Sequence, residues 1–304
     1  MSKYELTDEV RLVVGLVLHR IRATRTFGGV KEGTLGGWIE SEDNLSQDGD
    51  CWVGDEARVY GGAKVRDSAW VYGHAQVCEH AEVRDYAWVY GHAMACCAAQ
   101  VYGHAQVHGH AGVHINAQVY GQAQVYGHAT VSDDAQVFEE ASVSGYANVC
   151  GRAQVHGSAW VSQFATIVDD AEVCQSAYVS GLAMVGGNAE VLGGARVYGE
   201  AQLCDDAQLR DGAVVCGNAC IGGDAKLSTP FDYMVFRNTW SSGRWITYTR
   251  SNRMWCAGCF RGTGEELIKK AYEDDTRKGK CYEATVRYVE QIETIMAEEK
   301  KEEP

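Results

Sequence analysis

Apolar residues recur every six positions over most of this chain. Between Cys51 and Ser228 an alanine stands at every sixth position from Ala57 to Ala225, and an aliphatic residue stands four places before each alanine. No insertion or deletion breaks the register. The spacing matches neither the 3.6-residue period of a helix nor the strict alternation of a half-buried strand. It therefore predicts a solenoid of short, identical repeats. The aliphatic residue is valine except at Ala95, Ile167, Leu203, Leu209, Ile221 and Leu227.

Each six-residue phrase suits one short strand followed by one corner. The valine and the alanine point inward, and the residue two places after valine, most often Gly or Asp, tolerates the backbone angles of a bend. Three phrases close a triangular coil, and successive coils stack so that backbone hydrogen bonds run along the solenoid axis. The pattern predicts about ten such coils over residues 51–228. It leaves residues 1–50 as an N-terminal β cap and residues 229–304 as a small C-terminal α+β domain.

The phrase Val-x-x-x-Ala-x resembles the hexapeptide repeat of left-handed β-helices, the LpxA-like acyltransferase superfamily. The resemblance covers more than half of the chain and implies an all-β solenoid with left-handed coils. It implies much less about function, because one fold hosts many functions.

The first fifty residues do not follow the repeat. The segment from Arg11 to Phe27 alternates in part and predicts one or two strands, which would cap the exposed end of the solenoid. The glycines between Gly28 and Gly37 lack the spacing of a phosphate-binding loop.

Three stretches of this segment resemble the start of YdcK-type hexapeptide-repeat proteins, which are described as acetyltransferases. The resemblance implies a shared cap and, weakly, that activity. The stretches are Lys31-Glu32-Gly33, Gly36-Gly37-Trp38 and residues 44–52.

The residues after the repeat predict a small antiparallel sheet and two helices. The expected strands are 233–236, 245–249 and 254–256. The first helix follows a capping box formed by Thr263 and Glu266, and the second is expected over about 282–296. Cys256 and Cys259 form a C-x-x-C, which we interpret as a structural pair of buried thiols. The run Gly-Cys-Phe-Arg-Gly-Thr before the first helix resembles the tails of uncharacterised phage and prophage proteins.

Residues eighteen apart stack on adjacent coils, so the outward residues beside each valine form three faces. The first, the aromatic face, is the predicted binding or interface surface. The second carries Cys78, Cys96, Cys150 and Cys204. The third carries Gln100, Gln118, Gln136 and Gln154, for which we expect a ladder of side-chain amides. The aromatic face offers Trp52, Trp70, Tyr72, Trp88, Tyr90, His108, Tyr126, Trp160 and Tyr178.

The corner after the aromatic face is also patterned, with residues that would stack about 4.8 Å apart. Its histidines suggest a metal site, a proton-transfer site or an acyltransferase base. The alternative, which we favour, is repeat duplication with solvated imidazoles. Stacked imidazolium ions repel one another, and no carboxylate or thiolate in this column would complete a metal site. No metal site is therefore predicted. This corner ladder comprises His74, His92, His110, His128, Tyr146, Phe164 and Leu182.

Charge and composition exclude several classes of function. The formal net charge is −14, which disfavours binding to a nucleic-acid backbone. No apolar run is long enough to span a membrane, and the first residues do not form a secretory signal. The 12 cysteines are spread along the chain, which is unlike a disulfide framework and indicates a reducing, cytoplasmic environment.

Three classes of function remain, and we favour a non-catalytic interaction or scaffold protein. It would form a homo-oligomer, with a trimer favoured over a dimer, and would bind a protein or a small molecule without a cofactor. The terminal segments folding back over the aromatic face are the competing explanation of its aromatic residues. The second class, a CoA-dependent acyltransferase, would use acetyl-CoA and a histidine base, with His110 and His128 the first candidates. However, the unbroken register leaves no room for the loop that often helps to build such a site. The third class is a sugar- or nucleotide-binding module.

Overall fold

The structure, a computed structural model, describes residues 2–302, with side chains up to Glu298. It begins with three strands, β1 (Tyr4–Val13), β2 (Leu16–Ala23) and β3 (Leu35–Ile39). β1 and β2 form an antiparallel hairpin whose turn lies at Val14 and Gly15, both with positive φ. The one or two strands expected between Arg11 and Phe27 are therefore the second half of a longer hairpin. A 3-10 turn at Glu42–Asn44 then leads into the solenoid.

Thirty two-residue strands, β4 to β33, follow at six-residue intervals and alternate among three faces. The aromatic face consists of β4 (Trp52–Val53), β7 (Trp70–Val71), β10 (Trp88–Val89), β13 (Gln106–Val107), β16 (Gln124–Val125), β19 (Ser142–Val143), β22 (Trp160–Val161), β25 (Tyr178–Val179), β28 (Arg196–Val197) and β31 (Val214–Val215). The cysteine face consists of β5 (Arg58–Val59), β8 (Gln76–Val77), β11 (Met94–Ala95), β14 (Gly112–Val113), β17 (Thr130–Val131), β20 (Asn148–Val149), β23 (Thr166–Ile167), β26 (Met184–Val185), β29 (Gln202–Leu203) and β32 (Cys220–Ile221). The glutamine face consists of β6 (Lys64–Val65), β9 (Glu82–Val83), β12 (Gln100–Val101), β15 (Gln118–Val119), β18 (Gln136–Val137), β21 (Gln154–Val155), β24 (Glu172–Val173), β27 (Glu190–Val191), β30 (Gln208–Leu209) and β33 (Lys226–Leu227).

Every strand of a face pairs in parallel with the strand eighteen residues away, as Val89 does with Val71 and Val107. The valine and alanine tracks are buried throughout and form one continuous core. The predicted parallel solenoid is thus confirmed. β3 pairs in parallel with β5, and Leu45 bridges to Val65, so a further partial coil precedes the thirty strands and brings the solenoid to about 11 turns.

The corners hold their residues at positive φ, which explains the frequent glycines. Gly127 and Asp133, for example, have φ of 73° and 61°. An aspartate there is favoured over larger residues because it tolerates the left-handed region.

Both ends of the solenoid are covered. At the first end the Lys3 ammonium is fully buried and donates to the carbonyls of Asp48, Gly49 and Cys51 at 3.0–3.2 Å. At the other end lies an antiparallel sheet whose second strand packs beside β32. Its strands are β34 (Tyr233–Arg237), β35 (Trp245–Thr249), β36 (Met254–Ala257) and β37 (Phe260–Gly262).

Two helices pack on this terminal sheet, α1 (Gly264–Asp274) and α2 (Thr276–Glu302). The capping box at Thr263 is present, as the sequence predicted. α2 is longer than the expected 282–296, because its first turns are polar and show no apolar stripe. Val286 and Val289 of α2 are buried against the sheet. Neither helix in the described range is long and apolar enough to cross a membrane.

Candidate functional site

The aromatic face carries a stack of parallel rings. Tyr72, Tyr90, His108 and Tyr126 follow the valines of four successive coils, and their ring centroids are 4.9, 4.7 and 5.2 Å apart. Burial among these rings lowers the pKa of His108 and so favours the neutral imidazole. Trp88 lies edge-on to Tyr72 with centroids 6.4 Å apart. The stacking creates a flat, weakly polar strip along the solenoid.

The tryptophans of this face differ in exposure. Trp88 and Trp160 are 45% and 47% exposed, whereas Trp52 is only 3% exposed. Trp52 packs edge-on against Phe27 at 5.6 Å, beneath the loop that precedes β3. Trp52 therefore does not lie on the open surface, because the N-terminal cap folds back over the first coil, as the competing explanation of the aromatic residues expects.

The loop before β3 lies over the first coils, and together with the aromatic face it forms a cleft of about 630 Å³. Its floor is aromatic and belongs to the first three coils, and its opposite wall is the loop before β3. Mostly apolar clefts with a few polar groups are the usual form of small-molecule sites. The lining residues are Gly29, Val30, Lys31, Thr34, Leu35, Trp52, Gly54, Asp55, Trp70, Tyr72 and Trp88.

Farther along the same face, a hollow of about 750 Å³ lies around Trp160 and Tyr178. The Trp160 indole donates to the Ser144 hydroxyl at 3.3 Å. Hydrogen bonds from Ser180 and Ser162 lower the pKa of the Tyr178 phenol. Small serines thus replace the ring stack here and fix the orientation of the larger side chains.

The corner ladder is present as a stack of exposed rings. The centroids of His74, His92, His110 and His128 are separated by 4.8–4.9 Å, and Tyr146 and Phe164 continue the column. Among the described residues, neither His110 nor His128 forms a side-chain hydrogen bond or an ion pair. No group is therefore seen to orient either imidazole as a base.

The glutamine face holds a second ring stack that the sequence analysis missed. Tyr102, Tyr120, Phe138 and His156 are stacked with centroids 4.6–4.9 Å apart. The expected ladder of amides is instead a series of pairs, in which a tyrosine hydroxyl donates to a glutamine Oε1 sixteen residues later. The residues that follow the valines of the glutamine face, compared at intervals of eighteen, would have predicted the stack.

At the end of this stack, the glutamine face brings together three different metal-ligating side chains. Ligand atoms of His156, Glu172 and Cys174 all lie within 4.8 Å of one another. Nε2 of His156 is 2.9 Å from Oε1 of Glu172, and Cys174 is buried. Burial, together with a hydrogen bond to Glu172, raises the pKa of the Cys174 thiol to about 12.

A cluster of thiols lies where the cysteine face meets the terminal sheet. Hydrogen bonds from the Cys204 and Cys256 thiols lower the pKa of Cys220, and the Arg261 guanidinium, paired with Asp205 at 3.0 Å, acts in the same direction. The C-x-x-C therefore is not a buried pair. Cys256 joins this cluster, whereas Cys259 is exposed, because the tight turn between β36 and β37 points the two thiols apart.

A parallel solenoid built from this six-residue repeat fits the class of hexapeptide-repeat proteins. The chain is similar to "Uncharacterized acetyltransferase YdcK" of Escherichia coli (strain K12), with 38% identity over 74 residues. The match covers 21% of this chain and 23% of that protein, so the chain spans less than a quarter of its relative. No family model matches the chain.

Proposed function

We propose that this protein is a non-catalytic interaction protein, and that its aromatic face binds further copies of the same chain. The observation that carries the proposal is the pair Trp88 and Trp160, both close to half exposed on one continuous face. Soluble monomers seldom leave so much aromatic surface in water, and Trp and Tyr are enriched at interface hot spots. A trimer packed side by side is favoured, with a dimer as the alternative.

Charge supports self-association through this face. The chain carries a formal net charge of −14, so two copies repel each other over most approaches. The outward residues of the aromatic-face strands include no carboxylate, and Arg196 is the one formally charged residue among them. Copies that meet through these strands therefore bring together surfaces with little like charge.

The test replaces the exposed tryptophans and measures molar mass by light scattering. Trp88→Ala with Trp160→Ala should weaken association by about 30-fold or more per tryptophan and leave a folded monomer. These two positions are preferable to Trp70, which packs against the core. Met184→Ala is the matched control, since Met184 is 38% exposed and is the outward residue of β26 on the cysteine face. A monomeric wild type would disprove the proposal, as would a double variant with unchanged mass.

An acyltransferase is the second candidate, and the name of the similar Escherichia coli protein favours it. The thirty strands run without an inserted loop, and His110 and His128 have no orienting partner among the described residues, so the geometry supports it less. A thermal-shift titration with acetyl-CoA tests this alternative directly. A concentration-dependent rise in Tm would favour the enzyme.

The cleft under the N-terminal loop favours a third candidate, a module that binds a sugar or nucleotide ring on Trp70 and Trp88. Titration with mono- and dinucleotides and with simple sugars, followed by Trp fluorescence, would detect it.

A cytoplasmic location is supported by the spread of unpaired cysteines. A phage or prophage origin is supported by the short tail similarity alone.

A further inference from the structure

The geometry points to a divalent transition-metal site, best suited to zinc, formed by His156, Glu172 and Cys174 on the glutamine face. The three ligand atoms lie within 4.8 Å of one another. Imidazole nitrogen, thiolate sulfur and carboxylate oxygen are the donors that Zn²⁺ takes in proteins, at about 2.0–2.3 Å from the ion. An ion held among the three groups would take the place of the hydrogen bond between His156 and Glu172. The site is separate from the aromatic face and from the histidine corner.

The repeat itself explains why these side chains meet. In the coils above, a residue that follows a valine contacts the residue sixteen positions later, which precedes the valine of the next coil. Tyr120 contacts Gln136 in this way at 3.2 Å. The same relationship places His156 beside Glu172, with Nε2 2.9 Å from Oε1. Glu172 and Cys174 flank the inward Val173 in strand β24, so both point outward. Three metal-ligating groups thus replace the tyrosine–glutamine pairs at this level.

The surroundings of His156 resemble the outer shell of a metal site. Its ring stacks on Phe138 with centroids 4.6 Å apart, and its Nδ1 lies 3.7 Å from Oε2 of Glu139. The amide of Gly157 donates to that same carboxylate oxygen at 2.8 Å and fixes its position. A carboxylate that closes to hydrogen-bond distance of the far nitrogen of a metal-binding histidine orients the ring and raises its basicity.

One further ligand would complete a four-coordinate site. Glu190 pairs with Glu172 on the adjacent strand and lies sixteen residues after Cys174, which is the repeat's contact spacing. The fourth position of a tetrahedral ion therefore falls to the Glu190 carboxylate or to water. Binding converts the Cys174 thiol to a thiolate and releases its proton to solvent. The carboxylates around the site offset the positive charge of the ion.

The test is a Zn²⁺ titration of the full-length, tag-free protein after chelator treatment, in a thiol-free reductant. The wild type should bind about one equivalent with high affinity. Cys174→Ser and Glu172→Gln should lose this binding, and Glu139→Gln should weaken it about 10- to 100-fold. Serine is tolerated at this repeat position, since the buried Ser162 and Ser180 occupy it on the aromatic face. Thermal melts of the metal-free variants confirm folding.

Cys150→Ser is the matched control, because Cys150 follows a valine in the same way on the cysteine face. It should bind Zn²⁺ as the wild type does. Replacement of zinc by Co²⁺ supplies a second readout, a thiolate-to-cobalt charge-transfer absorption that Cys174→Ser abolishes. The proposal is overturned if the wild type takes up no Zn²⁺. It is also overturned if Cys174→Ser and Glu172→Gln retain wild-type affinity and stoichiometry, since the metal would then lie at other thiols.

Discussion

Asp133 and Gly151 are joined across two adjacent coils. The Gly151 amide donates to Oδ2 of Asp133 at 3.1 Å, and Asp133 itself has a φ of 61°. The corner aspartate therefore has two roles, since it adopts the left-handed backbone and accepts a hydrogen bond from the next corner. The same contact joins Asp55 to Gly73, Asp85 to Gly103, Asp169 to Gly187 and Asp205 to Gly223.

Two substitutions of Asp133 should show how much these two roles contribute to the stability of the protein. Asp133→Ala loses the acceptor and leaves in the left-handed region an alanine, which has no polar side chain to offset the strain, at a combined cost of about 2 kcal/mol. Asp133→Asn keeps an amide oxygen and tolerates the same φ, so it should stay close to wild type. Denaturant unfolding of both variants measures the difference. Equal stability of the two would show that the contact contributes nothing.

Val131 and Thr130 are adjacent residues of β17 with opposite orientations, because one points into the core and the other outward. Val131→Asp loses about 1.5–3 kcal/mol of apolar burial and places a carboxylate among valines. It should abolish soluble expression or lower stability by more than about 4 kcal/mol. Thr130→Asp introduces the same charge one residue away and should change stability by only about 0.5 kcal/mol. Expression yield and thermal melts provide the measurement, and a stable Val131→Asp would refute the register.

Asp232 should give the C-terminal junction a pH-dependent stability. Burial alone would raise the pKa of its carboxyl, but hydrogen bonds from the backbone and side chains of Thr229 and Ser228 outweigh burial and lower it. A carboxyl whose pKa is lower in the folded protein stabilises above its unfolded pKa, which is about 3.9. That stability is lost as the pH falls from there through the lower folded pKa. Melts at a series of pH values from neutral to well below the unfolded pKa should show the loss.

Asp232→Asn is the control for this titration. The amide cannot ionise, so this component of the acid sensitivity should be absent, while the rest of the pH profile is unchanged. An identical pH profile for wild type and Asp232→Asn would contradict the assignment.

The sequence predicted the solenoid well because one local rule, repeated without interruption, determines both burial and register. Every aliphatic position and every corner alanine of the repeat is buried as expected. The tertiary path of non-repeating segments follows no such rule. The burial of Trp52 depends on the loop before β3, and the position of Cys256 beside Cys220 depends on how the terminal sheet docks. The cluster at His156 depends on a contact between residues sixteen apart, such as His156 and Glu172. Comparison of residues eighteen apart does not reveal it.

The unbroken eighteen-residue pairing also restricts how this molecule can change length. Removal or addition of a number of residues that is not a multiple of eighteen shifts every later side chain out of register with the earlier coils. Such a change between Trp160 and Tyr178 would separate these two partners. Duplication or loss of one whole coil preserves all three faces and moves the two terminal caps by about 4.8 Å. Gain or loss of whole coils can therefore change the distance between the two ends of the protein in uniform increments, while the contacts within the coils stay the same.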